Sequence, residues 1–277
     1  MKFKTIAVVG LGLMGGSLAA ACRKKFPQSR ILGVSRNASA LRLALRNKWI
    51  HQGSSDLSIA KSADLIILCT PVDTLKSFLS RLDKIAKPGA LVMDVGSVKG
   101  SIVGWAARQR FKNIRFVGAH PMAGSHVKGI EAASAHLYEK SLVFLVPVSR
   151  SNAQALKEAK LFWKKITGRV VEIEAGAHDR VVSEISHLPH AIAVGLVLAV
   201  SKTSLPFVAS GFRDTTRIAQ GHPSIWLPIF QTNRKAVVRS LNAFEGQLKK
   251  IKLAINSKNG RALKQLLAQA ARARQAV

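Results

Sequence analysis

The sequence predicts a doubly wound α/β domain followed by an all-helical domain. Three observations carry this. The first 175 residues alternate short apolar runs with stretches of helical spacing. A glycine-rich turn joins the first run to the first helical stretch. After Glu174 the strand signals stop, and the pattern to Val277 is helical, broken near Leu205–Pro206 and Gly221–Pro223. Runs such as Leu65-Ile-Ile-Leu-Cys69 show no polar alternation, as expected of strands covered on both faces. We place the boundary between a dinucleotide-binding domain, 1–175, and a helical substrate and dimerisation domain, 176–277.

The strand candidates, in order, are Thr5–Val9, Ile31–Ser35, Asp64–Thr70, Ala90–Asp94, Arg115–Gly118, Leu142–Pro147 and Val170–Glu174. Between them, Ala38–Asn47 and Val72–Ile85 have helical spacing. The first strand runs into Gly10-Leu-Gly12-Leu13-Met14-Gly15, and a good helix former, Ser17-Leu-Ala-Ala-Ala-Cys-Arg-Lys, follows. In that context each glycine has a physical role. Gly10 permits a tight turn, Gly12 lets backbone approach a pyrophosphate, and Gly15 lets the helix pack closely on the strand. The helix N-terminus offers unpaired N–H groups and a positive dipole end to phosphates. The domain is therefore of the Rossmann type. Leu13 and Met14 in the turn, and Thr70 at the end of a neighbouring strand, join the cofactor-binding candidates. Lys2 and Lys4 before an apolar run also resemble a secretory signal. Four glycines weaken such an apolar helix, and cleavage would remove the first strand.

The acidic residue that holds the ribose hydroxyls of NAD is expected about 20 residues after the turn. Ser35 stands there, followed by Arg36. A hydroxyl and a guanidinium suit a 2′-phosphate better than a bare hydroxyl, which favours NADP over NAD. The bland reading leaves Arg36 as one of 43 basic residues on a solvated face.

The chain has 277 residues and a net charge of +29, from 43 Lys and Arg against 14 Asp and Glu. This balance favours acidic ligands and draws polyanions non-specifically. The basic residues are spread along the whole chain, with no arginine-rich tail or finger spacing, so specific nucleic-acid binding is not expected. Two cysteines, Cys22 and Cys69, form neither a disulfide framework nor a metal site, and fit a reducing cytoplasm. The longest apolar run, Ala191–Val200, is about half of a membrane span, so no membrane partner is expected.

Four further segments carry polar residues that packing does not require: Asp94-Val-Gly-Ser97-Val-Lys-Gly100, Gly118-Ala-His120-Pro-Met-Ala-Gly-Ser125-His126, Ser186-His187-Leu-Pro-His190, and Gly211-Phe-Arg-Asp214-Thr-Thr-Arg217-Ile-Ala219, followed by Trp226. The first two follow strands, so both loops face the crevice at the strands' carboxyl ends, where ligands of open α/β sheets bind. Each residue also has a structural reading. His120 could hydrogen-bond a turn, and His187 with His190 could be a metal pair, though no third ligand is evident. Asp214 and Arg217 could form an i,i+3 ion pair. Trp226 could be core or pocket wall.

These segments, taken in order with the glycine turn, resemble the prephenate/arogenate dehydrogenases of tyrosine biosynthesis. The resemblance implies a nucleotide domain and a helical domain that builds a homodimer. It implies that His120 is the catalytic histidine, that Ser97 lies near the nicotinamide, that His187 opens the His-x-Pro-His motif, and that Arg217 clamps a substrate carboxylate. Ser125 and Trp226 join the substrate-binding candidates. The substrate so implied is a small cyclohexadienol bearing carboxylates. Neutral histidine titrates in the right range to take its hydroxyl proton. The polar run around Arg217, inside an apolar region, suggests a buried anion as its partner. The apolar faces at Leu188–Val200 and Leu248–Leu267 independently suggest a dimer. Ser35-Arg36 departs from the acidic residue of NAD-using members. Two rivals remain: a β-hydroxyacid dehydrogenase or imine reductase, and a non-catalytic nucleotide-sensing or nucleic-acid-binding protein.

Overall fold

A computed structural model describes residues 3–124, 129–148 and 153–276. Eight strands form one sheet: β1 (Thr5–Val9), β2 (Arg30–Val34), β3 (Gln52–Ser54), β4 (Leu65–Leu68), β5 (Ala90–Asp94), β6 (Ile114–Pro121), β7 (Leu142–Pro147) and β8 (Arg169–Glu172). Their order is β3-β2-β1-β4-β5-β6-β7-β8. Every adjacent pair is parallel except β6 and β7, which run antiparallel. The order reverses between β1 and β4, so the crevice outside their carboxyl ends is the expected ligand site. The short β3 escaped the sequence reading because Gln52-Gly-Ser54 offers no apolar run. It is an edge strand paired with β2 alone.

The unbroken apolar runs are explained by helices on both faces. Ile6 and Val8 of β1, Leu65 and Ile67 of β4, and Leu91 and Met93 of β5 enter one core. The residues between them, Ala7, Val9, Ile66, Leu68 and Val92, enter the other. With period-two side chains, a strand covered on both sides must be apolar throughout. The first core is closed by α1 (Leu13–Lys25) and α5 (Ala153–Lys164), and the second by α3 (Leu75–Ile85) and α4 (Gly100–Ala106). Helix α2 (Ala38–Arg46) leans on the first core through Ala40 and Ala44 and is capped by the Asn37 side chain.

From Ala175 onward every described element is helical. Helix α6 (Ala175–Val182), a π turn (Ser183–His187) and α7 (Leu188–Ala199) form one continuous rod of 25 residues. Pro189 lacks an N–H and cannot satisfy the carbonyl one turn back, which widens the helix just before it. The sequence reading stopped at Ala191–Val200 and so underestimated this rod. It has the length and apolarity of a membrane span, and most of that stretch is uncovered in the isolated chain. It also carries His178, Asp179, His187 and His190, all buried against the rest of the fold. Then follow α8 (Ser210–Thr216), α9 (Pro223–Thr232), α10 (Arg234–Asn256) and α11 (Gly260–Gln275). Leu248, Ile251, Leu253 and Ile255 of α10 and Leu267 of α11 stay exposed.

Candidate active site

The glycine turn is built as its sequence implies. Gly10 has φ +96°, a conformation that L side chains rarely adopt, and a Cβ there would sit 2.7 Å from the Cys69 carbonyl oxygen. A Cβ on Gly15 would fall 1.8 Å from the Gly10 carbonyl oxygen, so α1 approaches the turn only because that position is glycine. A Cβ on Gly12, in contrast, would meet nothing within 4 Å. Helix α1 starts there with no side-chain cap and no acidic residue in its first turn. An open cradle with uncapped amide donors fits a dinucleotide pyrophosphate.

The turn opens on a cavity of about 660 Å³ that spans both halves of the chain. Gly12, Leu13, Met14, Cys69, Thr70 and Ser97 line it from the sheet's carboxyl edge, with His120 at the end of β6. Ser186 and His187 of the π turn, with His222, Ile225 and Trp226 of the α9 region, close it from the helical half. The structure therefore brings together eight of the sequence candidates: Gly12, Leu13, Met14, Thr70, Ser97, His120, His187 and Trp226. Gly10 and Gly15 shape the turn from behind. Ser35 directly follows β2, where its hydroxyl accepts from the Asn37 amide at 3.2 Å, and Arg36 beside it is exposed. Ser125 lies outside the described residues.

Arg217 departs from expectation. It opens a 3-10 turn after α8, is exposed, and is not in the cavity wall. Its run faces outward in the isolated chain: Arg213, Asp214 and Arg217 are all exposed.

Beneath the cavity floor, two carboxylates set the loop geometry. Asp94 and Lys99 form an ion pair whose side chains are both fully buried. The Asp94 carboxylate also accepts from Gly96 N at 2.9 Å and from Ala119 N at 3.2 Å. One buried anion thus ties the Ser97 loop to the strand end bearing His120. Asp179 of α6 accepts from Lys99 N and Gly100 N, each at 2.8 Å, and contacts His178 Nδ1 at 2.8 Å. His178 Nε2 lies 2.9 Å from His120 Nδ1. No sequence motif marked His178 or Asp179; the i,i+1 His-Asp pair was the one available signal, and it fell on the domain boundary.

Burial favours the neutral form of His120, His178 and His187. Burial pushes His120 well below the ordinary imidazole range, and the neighbouring charges of His178, Lys99 and His187 add to it. Burial also pushes His187 down to about 4, with Asp179 opposing and His178 and His190 assisting. Asn233 Nδ2 donates to the Asp179 carbonyl at 2.8 Å and lies 3.2 Å from His187 Nδ1. The carbonyl fixes which end of the Asn233 amide is the donor, so His187 Nδ1 accepts and its Nε2 carries the hydrogen. That Nε2, in a residue only 1% exposed, has no hydrogen-bond partner among the described residues. His190 stacks on Trp226 with centroids 3.5 Å apart and planes 10° apart. This stack sets the indole as a cavity wall, and Gly221 makes room, since a Cβ there would lie 2.2 Å from Trp226 Nε1.

A dinucleotide cradle at a topological switch point, sharing one cavity with a neutral histidine and a helical half, defines a two-domain nicotinamide-dependent oxidoreductase. The comparisons with known proteins narrow the class. Residues 18–172 match the family described as "Prephenate dehydrogenase, nucleotide-binding domain", and residues 174–269 match "Prephenate dehydrogenase, dimerization domain". A prephenate dehydrogenase of Bacillus subtilis is 35% identical over 266 residues, covering 92% of this chain and 71% of that protein. A cyclohexadienyl dehydrogenase of Zymomonas mobilis is 32% identical over 266 residues, covering 93% of this chain and 90% of its own. The crystal structure of A. aeolicus prephenate dehydrogenase, in complex with hydroxyphenyl propionate and NAD+, superposes with a TM-score of 0.92 at 30% identity. That match covers 99% of this chain and 98% of the other. The chain belongs to the prephenate/arogenate dehydrogenase family and is an NAD(P)-dependent enzyme.

Proposed function

We propose that this enzyme oxidatively decarboxylates prephenate or arogenate as a cytoplasmic homodimer and prefers NADP to NAD. The observation that carries the reaction is a neutral histidine, His120, sharing one cavity with the open glycine cradle. The bound cofactor supplies the hydride acceptor. Gly12, Leu13 and Met14 would hold its pyrophosphate through main-chain amides, with Thr70 and Ser97 along the same wall.

The chain's own residues handle the proton and the carboxylates. As hydride leaves the hydroxyl-bearing ring carbon, His120 takes the hydroxyl proton. The ring carboxylate then departs as carbon dioxide, its bonding pair aromatises the ring, and the phenolic oxygen takes a proton back. His187 acts as a donor, not as a base: its Nε2–H, without a partner among the described residues, is the natural contact for a substrate carboxylate or carbonyl oxygen. Trp226, pinned by His190, forms the apolar wall over the ring. Arg217 keeps the ring-carboxylate role, and Ser125 its place among the substrate-binding residues, on their motifs alone.

Ser35 and Arg36 support NADP, because a hydroxyl and an exposed guanidinium meet a 2′-phosphate where an acidic residue would repel it. The exposed apolar residues of α10 support the dimer, and the two unpaired thiols support a reducing compartment. We keep the domain boundary at residues 175/176. Steady-state formation of reduced nicotinamide, followed with prephenate and arogenate against NAD and NADP, tests the whole reading. Turnover of neither substrate refutes it. His120→Asn should lower turnover by about two to four orders of magnitude.

A further inference from the structure

We infer that His178 and Asp179 are positioning residues that lock His120 into one tautomer, with hydrogen on Nδ1 and the lone pair on Nε2. The inference rests on the assignment of His120 as the base and goes one step behind it.

The argument starts at the main chain. The Lys99 and Gly100 amides at the start of α4 both point at the Asp179 carboxylate, at 2.8 Å each. A carboxylate receiving two amides is an ion and only accepts. Burial pushes the Asp179 pKa up, but hydrogen bonds from His178, Lys99 and Gly100 outweigh it and hold the group below its ordinary value. His178 Nδ1, 2.8 Å from the same carboxylate, must therefore carry hydrogen. Burial and the Lys99 charge keep His178 neutral against the opposing pull of Asp179. A neutral imidazole has one N–H, so His178 Nε2 is an acceptor. Its partner at 2.9 Å, His120 Nδ1, must then be the donor. The lone pair of His120 is left on Nε2, the nitrogen that remains to receive a substrate proton.

The same chain of contacts serves the protonated state. When Nε2 gains a proton, the positive imidazolium already donates through Nδ1 to His178, and His178 to an anion. The charge forms in a prearranged field and needs no reorganisation. The two ends of the relay come from different halves of the fold: His178 and Asp179 from the first C-terminal helix, the amides from the start of α4 and His120 from β6. Gly100 makes the junction possible, since a Cβ there would lie 2.6 Å from Asp179 Oδ2.

The test is the tautomeric state of His120 in the intact protein at neutral pH. Long-range nitrogen–proton correlations of histidine-labelled enzyme report it, with His120→Asn providing the assignment. Hydrogen on Nδ1 of both His120 and His178 is the expected result; hydrogen on Nε2 of His120 overturns the inference. In kinetics, His178→Phe removes the acceptor and keeps an aromatic ring in the site. Turnover should fall about a hundredfold, the usual effect of a misaligned catalytic group, with the Michaelis constants for substrate and cofactor close to the parent's. Unchanged turnover, or a loss confined to the Michaelis constants, overturns the inference. If His178→Phe does not fold, the tautomer in the parent protein decides alone. Failure here is separable from failure of the proposed function. Retained turnover in His120→Asn removes the base itself, whereas an inactive His120→Asn beside a fully active His178→Phe removes only the positioning.

Discussion

Replacing Lys99 with Met should destabilise the protein by about 3–5 kcal/mol, because it strands a buried carboxylate. Both side chains of the Asp94–Lys99 pair are 0% exposed, so water cannot substitute for the lost ammonium. Asp94 would retain its amide donors from Gly96 and Ala119, which keeps the penalty from being larger. For a chain of this size each kcal/mol moves the midpoint by about 2–4 °C, so the midpoint should drop by roughly 10 °C. The informative assay is a double-mutant cycle read by thermal or urea unfolding. In an Asp94→Asn background there is no buried anion left to strand. Lys99→Met should then cost little more than the loss of ordinary packing contacts. An equal cost of Lys99→Met in both backgrounds would refute the reasoning, since it would mean that the lysine acts through its stem and not through its charge. The cycle also probes the site, because Asp94 joins the Ser97 loop to the strand end that carries His120. Turnover should fall along with stability.

Four further outcomes are expected. The acid limb of kcat/KM should lie below the ordinary histidine value of about 6.5. The folded pKa of His120 is depressed, so the working neutral form persists as pH falls through that value and is lost only further down; a limb above it would mean that another group titrates. Arg36→Ala should weaken NADP by about 1–3 kcal/mol and leave NAD nearly unchanged, and equal effects on the two cofactors would sink the NADP preference. Gly221→Ala should raise the Michaelis constant for the cyclohexadienol, since the new methyl displaces the Trp226 wall; an unchanged constant would remove Trp226 from the pocket. Light scattering should give twice the 29.9 kDa chain mass, and a monomer at micromolar concentration would leave the exposed apolar residues of α10 without an occupant.

Much of this protein is decided at the level of the chain. Gly10 and Gly15 are legible because their roles are local: a turn with positive φ and a helix start pressed on that turn follow from a few consecutive residues. Strands β1, β4 and β5 are legible because burial on both faces demands continuous apolar runs, and β3 is not, because an edge strand of three polar or small residues carries no such demand. His120, Ser97 and His187 stand out as polar residues in apolar settings. Their chemical roles are another matter. Which nitrogen of His120 bears hydrogen depends on His178 and on an aspartate held by amides 79 and 80 residues away in the chain. Whether His187 is base or donor depends on Asn233, 46 residues on. Arg217 reads as buried from its apolar neighbours and is exposed, because the outward face of a short helix is set by what packs beneath it. Local sequence specifies backbone conformation and burial period, whereas hydrogen-bond direction is a property of pairs, and those pairs form only when the two halves of the fold close on one another.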